Sequence, residues 1–182
     1  MTAQVPEEIR YLDIDYIILA IENKWPFHPE DHGFEPFAQN TACHRGYQSL
    51  YLIRDDKLLL HNFNVYLNEE PPVWQGVHPE TDQMTSYKGV DLPINYTGGI
   101  IIGDDFISRY YVHMGFQQPY AYENVKELKF KEGKLLEVRD HSLKMKQIRE
   151  EVRKSPDDKY KGKTIIQFIQ DAFDLSYDEK WS

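Results

Sequence analysis

The chain has 182 residues, and its 30 Asp and Glu against 21 Lys and Arg leave a formal net charge of −9. That balance disfavours nucleic acid and anionic membrane surfaces as partners, because both are gripped by clustered cations. With 41% hydrophobic and 28% charged residues, the composition suits one folded domain with its own core. A single cysteine, Cys43, excludes an internal disulfide and a paired-cysteine metal knuckle. The longest apolar run, Tyr16–Ile21, falls well short of the roughly 18–20 residues that span a bilayer. The opening MTAQVPEEIRYLDIDY has no basic stretch followed by an apolar one, so no signal peptide is expected and a cytoplasmic location is. Thirteen tyrosines and nine phenylalanines favour strands and also suit a binding surface.

Met1–Glu8 reads as loose. Ile9–Ile21 alternates polar and apolar residues and is rich in Ile, which predicts one strand or two short ones; a helix over Ile17–Lys24 competes. Residues 25–45, with three prolines and one glycine and followed by Gly46, form a long structured loop that Trp25, Phe27, Phe34 and Phe37 would anchor. Tyr47–Ile53 and Lys57–Leu67 make a hairpin around Arg54-Asp55-Asp56. A second long loop, 68–88, contains the stiff pair Pro71-Pro72 and Trp74. Gly89–Tyr96 is extended. Gly99–Phe116 reads as a hairpin in which Gly103-Asp104-Asp105 turns the chain into an aromatic strand, Phe106–Met114. Val125–Lys131 and Lys134–Asp140 form another around Glu132-Gly133. Ser142 offers an N-cap to a helix over Leu143–Lys154, and Thr164 with Gln167 resembles a capping box for a second over Ile165–Phe173.

The expected fold is mainly β with some α: an antiparallel sheet, or a partly open barrel or sandwich, built from successive hairpins and closed by two C-terminal helices. It forms a single domain over 1–182, with the β region at 9–141 and the helical segment at 142–182.

The segments RGY, LYLIRDDKLLL, YTGGIIIG, YYVHMGFQQPYAYE and LKFKEGKLL, between Gly46 and Asp140 or just outside, resemble a family of small uncharacterised bacterial proteins. The resemblance supports the hairpins and implies no catalytic residues. Such proteins can sit beside toxin or secretion genes, which implies an immunity or adaptor role.

Three groupings could carry chemistry. On the expected aromatic strand, Arg109, Tyr111 and His113 share a face, where a cation, a phenol and an imidazole could bind an anion or move a proton; cross-strand packing is the plainer alternative. His28, Asp31 and His32 give H-x-x-D-H, which a folded loop could turn into metal ligands, or which could be loop polar groups bonded to local backbone. Cys43 and His44 are adjacent and would point apart in extended chain, so a buried inert thiol is the expectation. No P-loop, dinucleotide fingerprint, nucleophile elbow or calcium loop is present, and no cofactor is expected.

Two functions follow. In the first, a non-enzymatic protein of immunity or adaptor type engages another protein, which the acidic charge suits to be basic, through Trp25, Trp74, Arg109, Tyr111 and His113. In the second, a small ligand, or a substrate for metal-assisted hydrolysis, binds between the 25–45 loop and the 106–114 strand. A homodimer joined through the C-terminal helix is a blander third.

Overall fold

The computed structural model describes residues 2–154. Nine strands make one mixed sheet: β1 (Glu8–Tyr11), β2 (Ile14–Ile21), β3 (Tyr47–Arg54), β4 (Lys57–Val65), β5 (Glu80–Thr81), β6 (Thr85–Pro93), β7 (Gly98–Phe106), β8 (Tyr122–Lys131) and β9 (Lys134–Asp140). One helix, α1 (Ser142–Lys154), follows. The second expected helix, Ile165–Phe173, lies outside the described residues. No helix among the described residues is long and apolar enough to cross a membrane.

Three local hairpins supply most of the sheet. Their two-residue turns are Leu12-Asp13, Asp55-Asp56 and Glu132-Gly133, and all six residues have positive φ. Two positive φ values in succession twist a turn to match the right-handed twist of the flanking strands, which is why such turns join hairpins tightly. The helix considered over Ile17–Lys24 does not form, since Ile14–Ile21 is strand throughout.

The pairings run β3–β1–β2–β7–β8–β9, β9 meets β4 through Lys57 and Lys134, and β4 pairs along its length with β3. The sheet therefore closes on itself as a seven-stranded barrel. Beyond Lys57 the other edge of β4 is taken by β6, which pairs onward with β5. The expected sheet was antiparallel; closure instead requires β1 to lie parallel to β3, with Ile9 opposite Tyr51.

Closure divides the side chains. Ile9, Tyr16, Ile18, Tyr51, Leu60, Phe63, Ile100, Ile102 and Leu128 belong to one buried cluster inside the barrel. The loops reach into it: Phe27 and Phe34 come from 25–45 and Trp74 from the stretch before β5, with ring centroids 5.1 Å (Phe27–Phe63) and 5.2 Å (Phe34–Trp74) apart. The second expected loop, 68–88, is cut short by β5 and β6. Leu19, Ala20, Ile101 and Val125 alternate outward, where α1 covers them with Met145, Ile148 and Val152. Arg149 of α1 is also buried there, donating to the Tyr122 carbonyl at 2.7 Å and to Glu123 at 2.7 Å. Ser142 opens α1 but does not cap it; Asp140 Oδ1 accepts the Ser142 N–H at 2.8 Å, and the Ser142 hydroxyl accepts from Val125 of β8.

The hairpin expected at Gly99–Phe116 does not form; its first half is the continuous strand β7. Gly103 lies mid-strand, where a Cβ would stand 2.5 Å from Leu19 Cδ1 and 3.0 Å from Tyr122 Cγ. The glycine serves close packing, not a turn. β7 pairs with β8, and the chain after Phe106 runs through a short 3-10 turn, Ser108–Tyr110, into irregular backbone. There is no strand over Phe106–Met114.

Candidate functional site

The barrel interior is apolar except where β1 meets β3. Tyr47, Ser49 and Tyr51 alternate inward along β3 and are all buried. The parallel register that sets Ile9 against Tyr51 carries Glu7, two residues upstream, alongside Ser49. The Glu7 carbonyl accepts the Ile18 N–H at 2.9 Å, which holds this segment in the wall, and the Glu7 side chain is fully enclosed.

Arg45 closes the cluster. Its Nη1 donates to Glu7 Oε1 at 3.1 Å, while its guanidinium carbon stands 3.9 Å from the Trp25 ring centroid and 4.8 Å from that of Tyr47. The cation is held by one carboxylate and two ring faces, with its side chain only 16% exposed. The turn that aims it depends on Gly46, whose φ is +77° and whose Cβ position falls 2.5 Å from the Phe37 carbonyl oxygen.

Three oxygens of this cluster are buried without a partner: Glu7 Oε2, Ser49 Oγ and Tyr51 Oη. Both hydroxyls lie near enough to feel the carboxylate, yet neither completes a well-formed hydrogen bond to it. Burial pushes the Glu7 carboxyl above the ordinary carboxylate range, outweighing Arg45 and the two hydroxyls, which pull it down. Burial and then the neighbouring carboxylate push the Tyr51 phenol well above 10. Arg45 goes up: burial works against its charge, and its ionisable neighbours, Glu7 foremost, more than compensate. Such a cluster can accept a hydrogen bond at Glu7 Oε2 and exchange hydrogen bonds at two hydroxyls, all on rigid strands.

No family model matches the chain, and no curated protein or solved structure matches it.

Of the residues singled out in the sequence, Trp25 belongs to this cluster, beneath Arg45. Trp74 is buried among Phe27, Phe34, Phe63 and Tyr87. Arg109, Tyr111 and His113 do not share a strand face, because that strand does not exist. Arg109 rests over the Tyr110 ring at 5.0 Å, and the Tyr111 hydroxyl meets His113 Nδ1 at 3.3 Å. His28, Asp31 and His32 are not gathered as ligands; His32 stacks on Phe27 at 5.1 Å, and among the described residues no three His, Cys, Asp or Glu side chains converge as a metal site. Cys43 donates to the Tyr47 carbonyl at 3.4 Å, and its burial pushes the thiol up, which makes it an inert neighbour of the cluster.

Tyr111 does line a feature of its own. A groove of about 210 Å³ runs along the outer wall between the N-terminal segment and the chain after β7, bordered by Phe106, Tyr111, Phe116 and Tyr122. Between it and the 25–45 loop lies the N-terminal segment, tied to Gly115 on one side and to Ala42 on the other by backbone hydrogen bonds.

Glu7, Arg45, Ser49 and Tyr51 were not among the sequence candidates. The signal for three of them was present: Arg45-Gly46-Tyr47 followed by alternation at Ser49 and Tyr51 describes a glycine turn feeding a half-polar strand face. Glu7 carried no signal, since nothing local marks an acidic residue before a short strand as interior.

Proposed function

We propose that the chain is a small-ligand-binding barrel whose polar end is the Glu7, Ser49 and Tyr51 cluster, with Arg45 and Trp25 as its cover. One observation carries the reading: a carboxylate oxygen just before β1 and two hydroxyls of β3 are buried together without a well-formed hydrogen bond, in a core otherwise built from apolar and aromatic groups. Buried polar atoms are nearly always paired, so a group of orphans marks a place for something else to bind. The ligand would be small and polar, donating to Glu7 Oε2 and accepting from the hydroxyls. Native mass spectrometry of the protein purified from expressing cells tests this, with wild type beside Glu7→Gln and Tyr51→Phe. A small-molecule adduct on wild type that is lost in both variants is expected; bare protein in all three would refute the proposal.

A second reading, non-enzymatic binding of another protein in an immunity or adaptor role, draws support from a different place. Phe106 and Tyr111, 39% and 51% exposed, turn aromatic surface to solvent beside the outer groove. Aromatic side chains of this kind anchor protein contacts.

A further inference from the structure

The outer groove has a chemistry that points to one kind of occupant. Its border rings are mutually inclined: Phe106 and Tyr122 lie 5.3 Å apart at 59°, and Phe106 and Tyr111 lie 6.4 Å apart at 88°. Its amide side chains are Gln4 and Gln117, and both are already engaged, as is the Tyr111 hydroxyl, which meets His113. Gln4 donates to the Thr41 carbonyl and meets His44 Nδ1 through Oε1, while Gln117 accepts from the Val112 N–H and donates to the Val112 carbonyl. An occupant would therefore be recognised by ring faces and shape, with little hydrogen bonding. None of the lining residues is Lys, Arg or His. The strand end that carries Phe106 also carries Asp104 and Asp105, and neither forms an ion pair among the described residues. The nearest cation in sequence, Arg109, sits on the Tyr110 ring instead.

Inclined rings around one space, a negative strand end and no resident cation describe a cation–π pocket. We infer that the groove anchors a basic side chain, an arginine or lysine, projected by a protein partner. This rests on the protein-binding reading and adds the chemistry of the contact. The space admits one side chain, and the chain's net charge of −9 favours a basic partner over an acidic one.

Three capped hexapeptides test the inference, identical except for a central arginine, citrulline or norleucine. Each is titrated into the full chain while aromatic and amide resonances are followed by NMR, alongside Tyr111→Ala and Phe106→Leu. Both positions are exposed, so the variants keep the fold, which an unchanged backbone spectrum verifies. The arginine peptide is expected to shift the rings of Phe106, Tyr111 and Tyr122, to bind roughly tenfold more tightly than the citrulline peptide, and to weaken in both variants. Equal binding by norleucine would overturn the basic identity while leaving the groove a partner site. Silence from all three peptides would overturn the inference and remove the groove from the protein-binding reading.

Discussion

Replacing Tyr51 by Phe removes one oxygen and leaves the ring where it packs, in the buried cluster with Ile9 and Leu60. Tyr51 is wholly enclosed, and its hydroxyl faces the Glu7 carboxylate and the Ser49 hydroxyl without completing a well-formed hydrogen bond. A buried hydroxyl that forfeits its bonds to water and gains none costs about 1–3 kcal/mol. Phenylalanine at this position avoids that cost and opens a gap no larger than one oxygen. Tyr51→Phe should therefore stabilise the ligand-free protein by about 1 kcal/mol, a rise of roughly 2–4 °C in Tm for a domain of this size. Urea unfolding followed by fluorescence and circular dichroism is the assay. A higher midpoint at unchanged slope is the expected form, because an unchanged slope means that the same surface is exposed on unfolding. A loss of about 1 kcal/mol or more would mean that the hydroxyl is satisfied in the protein. The three oxygens would then be a completed structural network, and the case for a ligand site would fall with them.

Two further predictions concern the buried glutamates. Glu7 has a raised folded pKa, so its favourable contribution is complete below its unfolded value near 4.5 and is lost as pH rises through the folded one. Glutamine never ionises, so Glu7→Gln should gain on wild type as pH increases from about 4.5 towards neutrality; stability curves whose gap is flat or narrows would contradict this. Glu127 behaves oppositely. Burial disfavours its charge, but His141 and Lys129 more than compensate and lower its pKa, so its stabilisation is present above about 4.5 and lost on acidification through the lowered value. Glu127→Ala should cost about 2–3 kcal/mol at neutral pH, because Lys129 and His141 lose the buried carboxylate that both contact, and the deficit should shrink in acid; a neutral substitution at pH 7 would show that the cluster is only decorative.

The hairpins were legible where turn and alternation agreed. Asp55-Asp56 and Glu132-Gly133 each separate two runs of strand character, and both became turns with positive φ. The same reasoning misread Gly103-Asp104-Asp105, because a glycine before two aspartates has the composition of a turn. What decides its role is Leu19, eighty-four positions away, packing where a Cβ would stand. That error carried the candidate site with it: spacing of two places Arg109, Tyr111 and His113 together only on a strand, and without one Arg109 sits on the Tyr110 ring while Tyr111 and His113 meet each other. Trp25 was read as a loop anchor and both tryptophans as partner contacts, yet Trp74 is buried among core aromatics, because whether a loop tryptophan meets a cation or a hydrophobic core depends on which strand faces it. Barrel closure was the least legible step. It turns on the parallel β1–β3 pairing, which joins segments separated by the whole 25–45 loop and leaves no local trace.

The two buried glutamates show why the interior one is the better marker of function. Glu127 of β8 is buried, with Lys129 at 2.9 Å, His141 at 3.0 Å and Arg139 at 3.9 Å. Its charge is met from several sides, and the site is a structural clasp between β8, β9 and the start of α1. Glu7 looks inward and has one cation, on one of its two oxygens. Its other oxygen faces only the two hydroxyls beside it, and their pull on the carboxylate, with that of Arg45, is outweighed by the cost of burial. Leucine at position 7, with Phe at 51 and Ala at 49, would leave only Arg45 in need of a partner, and Arg45 is the member of the cluster that still reaches solvent. Apolar replacement of a buried ionic group is often neutral or stabilising. A barrel that needed only to fold would therefore be better served by an apolar interior at this point. Polar groups held on three rigid segments, at the one place where a glycine turn also fixes an arginine over a tryptophan, are better explained by what they bind than by what they hold up.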